Sequence, residues 1–130
     1  MKRTMLVCAI LASVALASSV SAHHSFAAPY RENQSVTIEG QLVQWQLRNP
    51  HSIVEMIVHL PDGRDVRYAV EWRGAGELFG QGVRNDTLHV GDHLVITGNP
   101  SRHPSDHRVR LTRLVRPKDG FAWAWRSSLN

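Results

Sequence analysis

The chain has 130 residues, with 15 Lys and Arg against 11 Asp and Glu and a formal net charge of +4. This length suits one compact domain, and so small a charge excludes polyanion binding driven by charge alone. The only cysteine, Cys8, lies in the apolar N-terminal stretch, so the rest of the chain forms no disulfide and has no thiol nucleophile.

Residues 1–22 have the pattern of a secretory signal peptide. Lys2 and Arg3 precede an apolar run, and small residues ending in Ser21-Ala22 follow it. We therefore expect cleavage after Ala22, export to the periplasm, and a single mature domain over residues 23–130. The apolar run is shorter than the roughly 20 residues of a membrane-spanning helix, and no later segment is apolar enough, so no membrane span is expected.

Three strands are predicted in the first half of the mature chain. Residues 35–47 alternate between apolar and polar side chains but change phase after Gly40, which indicates a long strand bent at a glycine or a bulge. Residues 52–60 are rich in Ile and Val, and turn-forming residues at 61–63 separate them from an alternating run over 66–70. The last two strands therefore form a predicted β-hairpin.

The second half of the chain predicts a short helix, two more strands and an extended tail. Residues 73–91 lose the period of two, are rich in glycine and include a piece around Glu77 that fits one or two helical turns. Strands are predicted at 93–98 and 107–115. In the tail, alternation places three aromatic residues on one side of an extended segment, where they would cover a barrel opening or edge. These residues are Phe121, Trp123 and Trp125.

This order of elements predicts an all-β fold, a small five-stranded Greek-key barrel of the OB type with one short helix. Closure into a barrel removes the exposed edges that a small sheet without disulfides can hardly leave bare. An open β-sandwich or a roll of similar strands is the alternative that strand spacing leaves open.

Four short motifs occur in order along the chain. They are His23-His24-Ser25-Phe26, Val36-Thr37-x-x-Gly40, Asn49-Pro50-His51, and Gly91-Asp92 with Val95-x-x-Gly98. Together they resemble the small exported bacterial proteins of domain-of-unknown-function family 6152, over almost the whole mature chain. The resemblance implies a signal peptide and a small β fold, and it implies no established activity, substrate or cofactor.

Histidine is the residue type that most suggests a site, because all eight histidines follow residue 22. Imidazole is a preferred ligand of copper and zinc, and a chain without thiols would offer a nitrogen-rich site. After cleavage at Ala22, His23 presents its α-amine and its ring Nδ1 as a bidentate chelate that suits Cu(II), and His24 adds an imidazole. His51 is the expected third ligand, since Asn49-Pro50 restricts the backbone just before it.

The predicted site is therefore a Cu(II) or Zn(II) centre formed by His23, His24 and His51, with Glu71 or Trp72 as possible neighbours. The alternatives are a frayed terminus for His23 and His24 and a turn residue bonded to backbone for His51. The remaining histidines favour ordinary roles. We expect half-buried packing for His59 and His93, and solvent exposure for His103 and His107.

The predicted function is an exported periplasmic binding or accessory protein, with transition-metal binding as the leading hypothesis. The alternative is a non-metal envelope interaction module that binds a protein or a small ligand. No hydrolase, zinc-protease or phosphate-loop motif is present, so we expect no enzymatic activity. Export and low charge also argue against a nucleic-acid partner.

Overall fold

The computed structural model describes residues 29–125. Six strands and one short helix make up the fold: β1 (Val36–Gln46), β2 (Ile53–His59), β3 (Asp65–Glu71), α1 (Ala75–Gly80), β4 (His93–Pro100), β5 (Arg108–Arg116) and β6 (Phe121–Ala124). A 3₁₀ turn at Pro104–Asp106 lies in the β4–β5 loop. The predicted signal peptide, its cleavage site, His23 and His24 lie outside the described residues.

The strands form one sheet in the order β3-β2-β1-β4-β5-β6, and a further parallel pairing of β3 with β5 closes the first five into a barrel. The predicted all-β, five-stranded OB-type barrel with one short helix is confirmed. Closure decides against the open sandwich. No helix within residues 29–125 combines the length and apolar character needed to cross a bilayer.

The predicted bend in β1 is present, but it lies later than the glycine. Ile38, Gly40 and Leu42 all face inward, and the register against β2 shifts between Leu42 and Gln44. Gly40 has a different role, because a Cβ there would lie 2.2 Å from the Ile57 carbonyl oxygen. The glycine allows β1 and β2 to approach closely, and the bulge changes the phase.

The two ends of the barrel differ. Where β1 ends and β2 begins, α1 covers the core with the fully buried Leu78, and the Trp72 ring lies edge-on to the Trp123 ring with centroids 5.2 Å apart. Trp123 belongs to β6, which pairs with β5, and it packs into the core on this side of the barrel. Trp125 lies under the Arg73 guanidinium at 3.4 Å. The opposite end, where β1 begins and β2 ends, has a cavity.

An ion-pair cluster around the buried Asp92 joins the turn before β4 to the β5–β6 hairpin. Asp92 is 3% exposed and accepts hydrogen bonds from Arg116 Nη1 at 2.7 Å, from Lys118 Nζ and from the His89 amide. Burial opposes ionisation of this carboxyl, but the hydrogen bonds from Lys118, His89 and Arg116 outweigh it and hold the pKa of Asp92 well below its ordinary value. Asp119 contacts Arg116 from the other side. We call Asp92, Arg116 and Lys118 the Asp92 cluster.

Candidate functional site

The loop between β1 and β2 positions His51. A cis peptide joins Asn49 to Pro50, and the next residue but one, Ser52, is fully buried. The Ser52 amide donates to the Arg73 carbonyl, and the Ser52 carbonyl accepts from the Trp72 amide. This backbone pairing ties the loop to the end of β3, where Glu71 lies.

Helix α1 supports the same loop from the other side. The Asn49 side-chain oxygen accepts from the Gly76 amide, and a Cβ at Gly74 would lie 2.6 Å from the Pro50 carbonyl oxygen. Gly74 has an ordinary extended backbone, with φ −64° and ψ 152°, so close approach and not left-handed geometry requires glycine there.

Three side chains meet at Glu71. Its Oε1 lies 2.7 Å from His51 Nδ1, its Oε2 accepts from the Tyr30 hydroxyl at 2.5 Å, and Arg108 Nη2 lies 3.5 Å from Oε2. The Glu71 side chain is 11% exposed and that of His51 is 37% exposed. Burial and then the bond to Glu71 raise the pKa of Tyr30 above its ordinary value, so its hydroxyl keeps its proton and donates.

His51, Glu71 and Arg108 border a cleft of about 340 Å³ on the side of the barrel where β3 meets β5. The β4–β5 loop also holds the N-terminal segment of the described chain. The Pro29 carbonyl accepts from the Arg102 amide, and Tyr30 bridges to Ser101. The described chain therefore begins beside the β4–β5 loop, and the Tyr30 side chain reaches Glu71 at the edge of the cleft.

Of the predicted site residues, the structure places His51 against Glu71, the neighbour that the sequence suggested, and Trp72 in the core. His23 and His24 lie outside the described residues, so the shared site stays a prediction. Among residues 29–125, no three His, Cys, Asp or Glu side chains converge into a group that could hold a metal ion.

The other histidines differ partly from expectation. Half-buried packing was the wrong expectation for His59 and His93, since both are exposed and each meets a carboxylate, Asp65 at 2.8 Å and Glu39 at 2.6 Å. Each lies at the end of its strand, where the side chain faces outward. His103 is exposed as expected, whereas His107 is half-buried and its ring lies edge-on to Tyr68 with centroids 5.3 Å apart.

Sequence reasoning missed Arg108 and the bond between Tyr30 and Glu71. A glutamate directly after the inward-facing Val70 was the available signal, because a carboxylate that follows an apolar strand into the core must find donors. The pattern did not identify those donors.

A crystal structure of the ZRD-deleted mutant of TiaS in complex with agmatine is similar to this chain with a TM-score of 0.48 and 14% identity. The similarity covers 77% of this chain and 25% of that chain, so this protein spans about a quarter of the other. It carries no information on function. No curated protein matches the sequence. A model of a family of unknown function (DUF6152) matches residues 10–110, more than half of the sequence, and the chain therefore belongs to that family.

Proposed function

We propose that the protein is an exported module of the bacterial envelope that binds a transition metal, Cu(II) in particular, through His51, His23 and His24. It is a binding module and not an enzyme. The observation that carries the proposal is the pair of hydrogen bonds on Glu71, which accepts from His51 with one oxygen and from Tyr30 with the other.

The bond to Glu71 prepares His51 as a ligand. A carboxylate only accepts, so Nδ1 carries the proton, and in a neutral imidazole Nε2 then carries the lone pair that binds a metal. Metal-binding histidines commonly donate their second nitrogen to a carboxylate in this way, which fixes the ring and raises its basicity. Glu71 is thus a supporting residue and not a ligand.

The bond from Tyr30 brings the N-terminal segment to the same place. Tyr30 and His51 share one carboxylate, and His24 lies six positions before Tyr30 in sequence. At roughly 3.5 Å per residue, a segment of that length reaches about 20 Å. His24, and His23 with its α-amine, are therefore within reach of His51.

Copper titration of the mature protein tests the proposal. The protein should begin at His23, and Cu(II) affinity is measured by calorimetry with the coordinating nitrogens counted by electron paramagnetic resonance. His51→Ala should lower the affinity at least about tenfold, the scale of a lost ligand or its support. One extra residue before His23 should lower it as well, because the α-amine leaves the chelate.

His93→Ala is the matched control, since His93 also contacts a carboxylate but lies on the outer face of β4. Its affinity should match the parent protein. Equal copper affinity in the His51 and His93 variants would contradict the shared site. Absence of any copper or zinc binding would favour the alternative, a non-metal interaction module.

Export is tested separately. N-terminal sequencing of the protein from a periplasmic fraction should give His-His-Ser-Phe as the first residues. A mature species that begins several residues away would remove the amine chelate from the proposal.

A further inference from the structure

The open end of the barrel contains a cavity of about 500 Å³, within the usual range of small-molecule sites. It lies between the start of β1, the end of β2, Tyr68 in the middle of β3, the β4–β5 loop and the start of β5. Arg108 borders both this cavity and the smaller cleft at His51. We call it the open-end cavity.

The core residues that line the open-end cavity are apolar. Ile38, Val58 and Val109 form buried parts of the core that face it, at 8%, 7% and 1% exposure. The partly buried Leu60 and Tyr68 pack against the same core and line the cavity. An apolar group placed here leaves water for a preformed apolar wall, which is favourable in proportion to the area it buries.

Tyr68 and His107 line the cavity with rings that contact each other, and this contact depends on an unusual backbone conformation. His107 has φ 45° and ψ 50°, in the left-handed region that is unfavourable for a non-glycine residue. The Ala69 amide donates to its carbonyl at 3.0 Å, which holds it there, and its ring meets the Tyr68 ring. Such conformations persist where the surroundings impose them, and they cluster at ligand sites.

Arg108 provides the permanent positive charge on the lining. Its side chain is 49% exposed, and its nearest carboxylate oxygen, on Glu71, is 3.5 Å away and already accepts from Tyr30. The lining carboxylate, Glu39, contacts His93 at 2.6 Å. A guanidinium offers five N–H donors in a fork that matches a carboxylate, so Arg108 has donors for an anionic group at the cavity mouth.

We propose that the open-end cavity binds a small amphiphilic carboxylate of the medium-chain fatty-acid class, with the chain against Val58, Val109 and Tyr68 and the carboxylate on Arg108. This binding is independent of the proposed metal site. Arg108 would then lie between two ligands of different chemistry, one in the open-end cavity and one at the cleft beside His51.

Decanoate and decanol are the probes, because they share a chain and differ in charge. Calorimetric titration of the mature protein should give one decanoate site and at least tenfold weaker decanol binding. Arg108→Ala should abolish this difference by weakening decanoate alone, while Arg113→Ala, on the exposed face of the same strand, should leave it intact. Val36→Trp fills the cavity from the partly buried start of β1 and should weaken both probes.

Val90→Trp, at a 71% exposed position outside the cavity, controls for added aromatic surface. Circular dichroism and thermal unfolding of each variant establish that it folds. Binding of neither probe, equal binding of both, or decanoate binding that survives Val36→Trp in the folded protein would overturn the proposal. Binding that emerges only in Phe26→Ala would overturn it too, because the chain's own N-terminal segment would then be the occupant.

Discussion

Two buried carboxylates, Asp92 and Glu71, meet very different partners. Asp92 is 3% exposed and accepts from the side chains of Arg116 and Lys118. Glu71, at 8% exposure for the whole residue, accepts from a histidine and a tyrosine, while Arg108 lies 3.5 Å away. The first carboxylate is neutralised by charge, and the second is satisfied mainly by directional hydrogen bonds.

The difference separates a structural site from a candidate binding site. A buried carboxylate with two close cations fixes the elements that carry them, and nothing remains for a ligand to do. A carboxylate that orients an imidazole and a phenol positions groups whose other atoms can bind or release a ligand. We therefore expect changes at Asp92 to act on stability, and changes around Glu71 to act more on binding.

Asp92→Asn should have the largest effect on stability. It takes one of two carboxylate partners from the buried Arg116, which keeps Asp119, and it removes the carboxylate that Lys118 contacts, so we expect a loss of about 2–3 kcal/mol in the free energy of unfolding. Urea denaturation measures this, and copper affinity should stay at the parent value. A loss below about 1 kcal/mol, or a change in copper affinity, would break the contrast between the two carboxylates.

The same variant carries a pH signature. The pKa of Asp92 is lower in the folded protein than its ordinary value of 3.8, so its stabilising contribution is complete above that pH and is lost as pH falls below it. The difference in unfolding free energy between the parent and Asp92→Asn should therefore be constant between about pH 5 and 7 and shrink below about pH 4. A difference that grows on acidification would give the opposite sign and contradict the assignment.

Gly74→Ala should affect both stability and binding. A Cβ there lies 2.6 Å from the Pro50 carbonyl oxygen and 2.8 Å from Asn49 Oδ1, so the loop that carries His51 must move. We expect the free energy of unfolding to fall by about 1–2 kcal/mol, the usual cost of overpacking, and copper binding to become weaker. Gly76→Ala, where nothing lies within 4 Å of the new Cβ, is the control and should lower neither the free energy of unfolding nor the copper affinity. Similar results for the two variants would show that the loop position is not critical.

Tyr30→Phe should have the smallest effect. It removes one donor from Glu71 Oε2 and leaves the His51 bond in place, so the free energy of unfolding, measured by urea denaturation, should fall by about 1 kcal/mol. The other tyrosine provides the comparison, because Tyr68→Phe alters the open-end cavity and not Glu71. A copper affinity that falls as far in Tyr30→Phe as in His51→Ala would mean that Tyr30 has a larger part than anchoring the segment.

The sequence predicted the barrel because strand periodicity is a local property. Alternation and turn chemistry located all five barrel strands and the short helix, and the order of elements then favoured closure. The change of phase after Gly40 also indicated the β1 bulge, and the pairing with β2 places it between Leu42 and Gln44. The outward orientation of His59 and His93 was missed, because it depends on where each strand ends.

Contacts between distant residues account for the rest of the site. The Asn49-Pro50-His51 motif identified His51, and the end of β3 was recognised as its neighbour. However, Tyr30 and Glu71 are 41 residues apart, and Asp92 and Arg116 are 24 apart. No pattern within one segment specifies such a pair, because each partner alone is also typical of a solvated surface residue.

The closing seam of the barrel has a consequence for its motions. β3 and β5 pair through three residues only, Ala69 to Glu71 against Arg108 to Arg110, whereas β2 and β3 pair through seven. A short parallel ladder between elements distant in sequence is the place where local opening costs least. The Ala69 amide, which donates to the His107 carbonyl across this seam, should therefore exchange its hydrogen with solvent sooner than the amides that bond β2 to β3. Glu71 and Arg108 lie on the two sides of this seam. A ligand that binds to either residue would therefore slow hydrogen exchange at the Ala69 amide, so the exchange rate would measure ligand occupancy.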